Sequence, residues 1–318
     1  MTDTFSLLFA VLIFPGGLFV IALGLALKGV ERRAIARLQR RIGPPLAQPV
    51  FDMIKLMQKR TLIPDTANAL VFLAAPLLAV ASMAVAAALI PVPGLYAPDP
   101  RLGDLIVLFY LITVPAVALM LAGSSSGSPF GAIGFSREMA IMLAYEGPIL
   151  LAITAVALHA GAEMGQPIAL SLSEIVAWQR AHGAFLLDPW MWPAFVTYLT
   201  FIPANLGIVP FDIPEAESEI LEGPLVEYSG PPLGLMKLAS AMKAVVVLGL
   251  GVALFFPAGP EGLAGLVLFA LKCLGLVLAV AVLKAAVGRM RIDQAVVFYL
   301  KWPEALGLCG LALAIWHA

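Results

Sequence analysis

The sequence predicts an all-α protein that crosses a membrane about eight times, and three observations support this prediction. The chain of 318 residues is 61% hydrophobic and 12% charged, about half the ~25% of charged residues in a soluble globular domain. Its mean hydropathy is +0.99, and no soluble fold of this size could cover so much apolar surface. Eight apolar segments approach the ~20 residues that span a bilayer. They cover residues 5–27, 70–90, 105–122, 133–159, 190–209, 233–256, 263–283 and 295–316.

The positions of the cations predict the orientation, because Lys and Arg accumulate in cytoplasmic loops. Most of the 19 Lys and Arg residues lie in the connections at about 28–69, 123–137 and 284–294. The connections of the opposite side contain only Arg101 and Arg180. We therefore expect both termini outside and a fourth cytoplasmic connection at about 210–232. We find no domain boundary, and predict a single integral membrane domain over 1–318.

The first cytoplasmic connection contains a second kind of helix. Gly43-Pro44-Pro45 breaks any helix that precedes it, and the segment that follows, 49–60, is amphipathic. Its apolar face consists of Val50, Met53, Ile54 and Met57, and its polar face contains Asp52, Lys55 and Lys59. Such a helix can lie in the membrane interface. Anchoring to lipid headgroups and docking of a soluble partner are both consistent with this pattern.

The fourth connection, by contrast, has six carboxylates and no cation on a side that is otherwise basic. Its acidic residues are Asp212, Glu215, Glu217, Glu219, Glu222 and Glu227. Clustered carboxylates raise one another's pKa, so some of them could exchange protons near neutral pH. The alternative is a solvated acidic loop that pairs with the basic first connection.

Several ionisable residues also fall in or near the predicted spans. They are Glu138, Glu146, Lys237, Lys243, Lys272, Lys301 and Glu304. A charge at mid-bilayer costs about 2.5–3.5 kcal/mol on insertion scales, so such residues are functional candidates by default. Glu146 has no neighbouring cation in sequence and is predicted to relay protons, whereas Glu138 could relay protons or form an ion pair. Lys301 and Glu304 are three residues apart and could pair on one helix face.

No metal site or cofactor is predicted within this chain. Cys273 and Cys309 are far apart, each within an apolar run, and no His, Cys, Asp and Glu set has metal-ligand spacing. The sequence also lacks a phosphate-binding glycine loop, and nothing in it indicates a nucleic-acid partner.

Two segments resemble a known family. Residues 31–45, ERRAIARLQRRIGPP, and residues 210–230, PFDIPEAESEI followed by EYSG, resemble the membrane subunit 1, or H, of respiratory complex I. The stretches 127–139, 221–230, 234–243 and 289–293 are similar to the corresponding subunit of group 4 membrane-bound [NiFe] hydrogenases, including formate hydrogenlyase. Complex I typically has a glutamate where this chain has Ser240, and Gly-Pro-Asn where it has Gly-Pro-Pro.

The resemblance implies a non-catalytic subunit of an oxidoreductase complex in a bacterial or archaeal cytoplasmic membrane. Its expected partners are the hydrogenase large and small subunits, which would carry the [NiFe] centre and iron–sulfur clusters, and antiporter-like membrane subunits in the bilayer. Arg32, Arg33, Arg37 and Arg41 would form the docking surface. The proton path would begin at the six carboxylates of 210–232 and continue through Glu138 and Glu146. Lys237 and Lys243, in a segment similar to the hydrogenase branch, are further candidates for this path.

Two alternatives remain open. The first is the quinone-site H subunit of a respiratory complex I, for which the missing glutamate at Ser240 is the discriminating feature. The second is a stand-alone secondary transporter, which the intramembrane charges allow. The acidic connection and the lack of an internal repeat argue against a transporter.

Overall fold

The computed structural model describes residues 2–92, 95–98, 105–257 and 259–317, without the side chains of residues 2, 3 and 217. Within these residues the chain is helical and forms no extended strand. The helices are α1 (Thr2–Leu12), α2 (Gly17–Leu38), α3 (Gln48–Gln58), α4 (Ala69–Ala88), α5 (Leu105–Ser125), α6 (Pro129–Glu163), α7 (Leu172–His182), α8 (Trp192–Asn205), α9 (Glu217–Ile220), α10 (Gly230–Phe255), α11 (Leu263–Ala286) and α12 (Ile292–His317). Short 3₁₀ turns occur at Phe185–Leu187, Pro189–Met191 and Gly223–Leu225.

Seven helices of the described chain are long and apolar enough to cross a membrane: Thr4–Leu38, which combines α1 and α2, and α4, α5, α6, α10, α11 and α12. The segment predicted as the fifth span forms α8, which has only 14 residues. At ~1.5 Å per residue this helix is about 21 Å long, shorter than the ~30 Å hydrocarbon core. It ends at Asn205 because Gly207, with φ +59°, reverses the chain. The prediction of about eight spans thus corresponds to seven full-length helices and one short helix.

The first span contains a break between α1 and α2. Pro15 removes a backbone donor, and Gly16 allows a very close approach of the two helices. A Cβ at Gly16 would overlap the carbonyl oxygens of Ala10 and Val11, so only glycine fits there. The amphipathic helix predicted at 49–60 is confirmed as α3.

Two helices extend further than predicted. α2 continues to Leu38, so Arg32, Arg33 and Arg37 lie on a helix and not in a loop. α6 begins at Pro129, so the connection predicted at 123–137 is reduced to residues 126–128. A prediction from hydropathy finds only the part of a helix that lies in the membrane. Polar residues with high helix propensity, such as those of 31–38, continue the helix beyond the bilayer.

Helix α10 forms the centre of the bundle. Every residue from Ala241 to Phe255 is buried, as expected for a segment that is apolar on all sides except at Lys243. Tyr198 of α8 donates its hydroxyl to the carbonyl oxygen of Val247 at 2.6 Å. This bond satisfies a polar group where no water is available.

Helices α6 and α12 run side by side in the same direction. Glycines permit their close contact: a Cβ at Gly307 would lie 3.0 Å from the Cβ of Leu151, and one at Gly147 would lie 2.9 Å from Oε2 of Glu304.

The connections rich in charge meet at one end of the bundle, which we name the charged end. It consists of the C-terminal part of α2, α3, the acidic segment 206–229 and the α11–α12 connection 287–291. Leu62 N–H donates to Ser229 Oγ at 3.1 Å, and Met290 N–H donates to the carbonyl oxygen of Pro210 at 2.9 Å. The acidic segment is therefore held on two sides.

Candidate functional site

A cavity of about 650 Å³ lies at the charged end. Residues of α2, α3, α5, α6 and α10 line it together with the acidic segment. Cations and carboxylates are almost balanced in its wall. The cations are Lys28, Arg32, Lys55, Lys59, Lys237, Lys243 and Lys284, and the carboxylates are Glu31, Asp52, Glu138, Asp212, Glu215 and Glu222. Apolar residues such as Leu119, Ile141 and Phe211 line the same cavity, so the chamber combines charged and apolar surfaces.

Helix α3 turns its polar face toward this cavity. Asp52, Lys55 and Lys59 line the wall, and so does Met53 of the predicted apolar face. Val50 and Ile54 are 40% and 51% exposed on the outer side. The helix therefore covers the chamber with charged and apolar side chains and presents the rest of its apolar face to its surroundings.

An ion pair fixes α3 to α2. Nη1 of Arg32 lies 2.7 Å from Oδ2 of Asp52, and Gln48 Nε2 donates to Oδ1 of the same carboxylate at 2.9 Å. The hydrogen bond from Arg32 is the main cause that holds the pKa of Asp52 below its usual value. Arg32, predicted as a docking residue, is thus also a structural link in the wall of the chamber.

Glu31 joins two distant segments at the same wall. It is buried, and its carboxylate lies 3.3 Å from Nζ of Lys28 and 3.4 Å from Nζ of Lys284. None of these three residues is among the sequence-predicted site residues. Lys28 and Glu31 are three residues apart on α2, a spacing that indicates a pair. No local signal connects Glu31 with Lys284.

The acidic segment is held by arginines, although not by those of the first connection. Nη1 of Arg137 on α6 lies 2.5 Å from Oε2 of Glu219. Arg289 contacts Oδ2 of Asp212 at 2.8 Å and donates to Ser218 Oγ at 2.9 Å. Two arginines outside the first connection therefore form these ion pairs, whereas Lys28 of that connection acts electrostatically on Glu215. Arg137 and Arg289 compensate part of the acidic charge.

Glu215 is the carboxylate of the acidic segment best suited to exchange protons. It is partly buried and lines the chamber. Burial raises its pKa to about 7, and the negative charges of Asp212, Glu138 and Glu222 act in the same direction. Near neutral pH this side chain is therefore divided between its protonated and ionised forms.

The deep end of the chamber is formed by Lys243, Glu138 and Asn205. Lys243 is buried near the middle of α10 and donates to the carbonyl oxygen of Asn205 at 2.5 Å. The same ammonium interacts electrostatically with Glu138 and Glu215. Oδ1 of Asn205 is buried and has no hydrogen-bond partner within the described protein. Titratable groups thus extend from the acidic segment to mid-bilayer depth.

The structure brings together six of the ten proton-path candidates around the chamber. They are Glu138, Asp212, Glu215, Glu222, Lys237 and Lys243. Glu219 contacts Arg137 beside the chamber, Glu227 is partly buried outside its wall, and the side chain of Glu217 lies outside the described part of the chain. Glu146 does not line the chamber either, because it projects from another face of α6.

Of the four docking candidates, Arg32 lines the chamber and the other three lie on the surface. Arg33, Arg37 and Arg41 are exposed at the charged end, so their role in docking stays a prediction. Ser240 lines the chamber. Among the described residues, no group of three or more His, Cys, Asp or Glu side chains is arranged to hold a metal ion.

The fold and the chamber define a polytopic α-helical membrane subunit, and comparison with known proteins identifies its family. Residues 9–315 match the family described as NADH dehydrogenase, so the chain belongs to the NADH dehydrogenase subunit 1/H family. It is an integral membrane protein.

The relatives of this chain include members of two kinds of complex. Formate hydrogenlyase subunit 4 of Escherichia coli is 35% identical, covering 87% of this chain and 89% of the relative. The H subunit of NADH-quinone oxidoreductase from Dehalococcoides mccartyi is 33% identical, covering 93% and 82%. A chain in the solved structure of the membrane-bound sulfane sulfur reductase, an archaeal respiratory membrane complex, is similar with a TM-score of 0.88 and 30% identity, covering 97% and 99%.

Proposed function

We propose that this chain is the membrane anchor and proton-coupling subunit of an energy-converting membrane-bound [NiFe] hydrogenase complex. It would dock the hydrophilic redox module, the hydrogenase large and small subunits, at the charged end. That end would face the cytoplasm of a bacterium or archaeon, and both termini would lie outside. Antiporter-like membrane subunits would complete the complex in the bilayer.

The observation that carries this proposal is the chamber lined by charged groups between the protein surface and the middle of α10. A buried charge is expensive, and Glu31, Glu138 and Lys243 of this wall are buried, so their presence is difficult to explain by stability alone. In such a wall, a change in a nearby charge can shift the pKa of a carboxyl, which then takes up or releases a proton.

The proposed coupling begins at Glu215. A change in charge of the docked redox module would alter the pKa of this carboxyl, which is already about 7. A proton taken up there could pass to Glu138, since both carboxyls interact with the Lys243 ammonium. Because Lys243 interacts with both carboxyls, protonation of one carboxyl changes the proton affinity of the other.

The chemistry of the wall also bears on the quinone-oxidoreductase alternative. Apolar side chains line the chamber together with the charged ones, so the composition of the wall fits a quinone site as well as a proton path. Ser240, which lines the chamber, stands where complex I typically has a glutamate. This serine favours the hydrogenase proposal. Because one of the relatives is the H subunit of an NADH-quinone oxidoreductase, the first experiment also tests this alternative.

The first experiment measures metal and quinone in the complex that co-purifies with this chain from native membranes. Nickel with iron and without stoichiometric quinone is the expected result. Quinone with iron and without nickel would replace the hydrogenase proposal by the complex I alternative. Ion flux through the isolated chain in liposomes would instead indicate a transporter.

A second experiment tests the coupling itself. We expect Glu138→Gln to lower the number of protons translocated per electron in inverted vesicles, with the complex still assembled. Glu163→Gln is the matched control, because Glu163 ends the same helix outside the chamber. Equal coupling in the two variants would remove Glu138 from the proposed path.

A further inference from the structure

Two carboxylates lie at the middle of membrane-spanning helices, away from the chamber. Glu146 is the central residue of α6 (Pro129–Glu163), and Glu304 lies at the centre of α12 (Ile292–His317). The parallel packing of these helices brings the two centres to the same depth, with Oε2 of Glu304 2.9 Å from the position of a Cβ on Gly147. Mid-bilayer is the most expensive depth for a charge.

Both carboxylates belong to an outward-facing surface, which we name the α6–α12 face. On α6 it includes Leu143 and Leu150, which are 62% and 47% exposed. On α12 it includes Leu300 and Leu308, which are 60% and 53% exposed. Glu146 and Glu304 are partly exposed between these apolar side chains.

The chain itself does not neutralise the α6–α12 face. In the part of the chain that the structure describes, Glu146 and Glu304 have no ion-pair partner within 4.0 Å. The predicted pair of Lys301 with Glu304 does not form, because the Lys301 ammonium lies over the Trp302 ring, 5.6 Å from its centroid. That contact directs the ammonium away from Glu304.

The exposed face of α11 provides an internal comparison. Val267, Leu271, Leu278 and Val282 are 41–59% exposed on it, and Lys272 of the same helix is partly buried and donates to the carbonyl oxygen of Phe256 at 2.6 Å. That face is apolar throughout its middle, as a lipid-facing surface must be. The α6–α12 face differs from it in combining apolar exposure with carboxylates at mid-depth.

We propose that the α6–α12 face binds a transmembrane helix of another subunit, and that this helix has a cationic side chain near its own middle. Lipid tails offer no hydrogen bonds to a carboxylate, whereas a Lys, Arg or His on a neighbouring helix does. The apolar residues above and below supply the packing contacts of such a helix. The site goes beyond the proposed proton-coupling function, since it requires a membrane partner whichever redox reaction the complex performs.

A photocrosslinking amino acid placed at Leu143 or at Leu308 tests the proposal in native membranes. The expected product joins this chain to a transmembrane helix of another subunit, with a Lys, Arg or His within about one turn of the crosslinked position. The same probe at Leu271 on α11 is the control and should label lipid. Lipid products alone at Leu143 and Leu308, or a crosslinked helix without a cation, would overturn the proposal.

Charge variants then distinguish an interface from two neutral carboxyls that face lipid. In the Glu146→Leu and Glu304→Leu double variant, loss of the buried ion pairs should reduce the co-purified partner by about tenfold or more. The isolated chain should still insert and remain folded, because leucine is better solvated by lipid. Unchanged partner recovery would contradict the proposal, even if the complex contains nickel. Absence of nickel would refute the proposed function, but it would not change the expected loss of the co-purified partner in this double variant.

Discussion

The titration of Glu215 allows a quantitative prediction. A folded-state pKa of about 7, against an ordinary value of 4.5, means that the folded protein holds a proton that the unfolded chain has already released. Between these two values the folded state binds more protons, so the free energy of unfolding falls as pH rises. At 1.36 kcal/mol per pKa unit, the loss from about pH 4.5 to above pH 7 is ~3 kcal/mol.

Glu215→Gln removes this titration and keeps the size of the side chain. We expect the variant to equal the native protein in stability near pH 5 within about 1 kcal/mol, and to exceed it by ~2–3 kcal/mol near pH 8. Thermal unfolding in detergent, followed by tryptophan fluorescence at both pH values, measures the difference. Glu261→Gln is the control, because the side chain of Glu261 is 86% exposed and outside the chamber.

The same substitution affects turnover. Coupled activity of the native complex should change with pH around 7 because Glu215 must both accept and release a proton, and the variant should lose that dependence. A stability difference that is equal at pH 5 and pH 8, together with an unchanged pH profile of turnover, would refute the assignment of Glu215 as the titrating group.

Two further predictions concern the packing of the acidic segment against α6 and the wall of the chamber. Gly134→Val should destabilise the protein by about 1–3 kcal/mol, because a Cβ there would overlap the ring of Pro224 in the acidic segment. Thermal unfolding measures the effect. Gly275→Ala is the control, because a Cβ at that position meets nothing within 4 Å. In a double-mutant cycle, Arg32→Ala and Asp52→Ala should show a coupling energy of only ~0.2–1 kcal/mol, since both side chains are about a third or more exposed, and this coupling should decrease at high salt.

The amino-acid sequence was sufficient to predict the membrane fold and the amphipathic helix. Apolar runs of about 20 residues leave the bilayer as the only suitable solvent, and a helix satisfies all backbone groups locally. The period of Val50, Ile54 and Met57 likewise depends only on helical geometry. Hydropathy could not predict where α2 and α6 end, because polar helix-forming residues continue these helices beyond the membrane.

The candidate site was predicted only in part, for a different reason. Glu138 and Lys243 could be selected because a charge in or near a span is rare. Glu215 could be selected because it belongs to a cluster of carboxylates. Their meeting around one chamber, and the exclusion of Glu146 from it, depend on the rotation of each helix about its axis. That rotation is set by packing against neighbours and not by local sequence.

Local sequence therefore determined which residues are costly to place in a membrane, since that cost depends on the side chain and the depth alone. Tertiary structure decided which of these charges meet. Glu31 lies beside Lys284, 253 residues away, and Arg289 and Arg137 form ion pairs with the acidic segment. It also placed Glu146 on an outer face, away from the chamber. Ion pairing requires contact within a few ångströms, and only the packing of distant helices establishes such contacts.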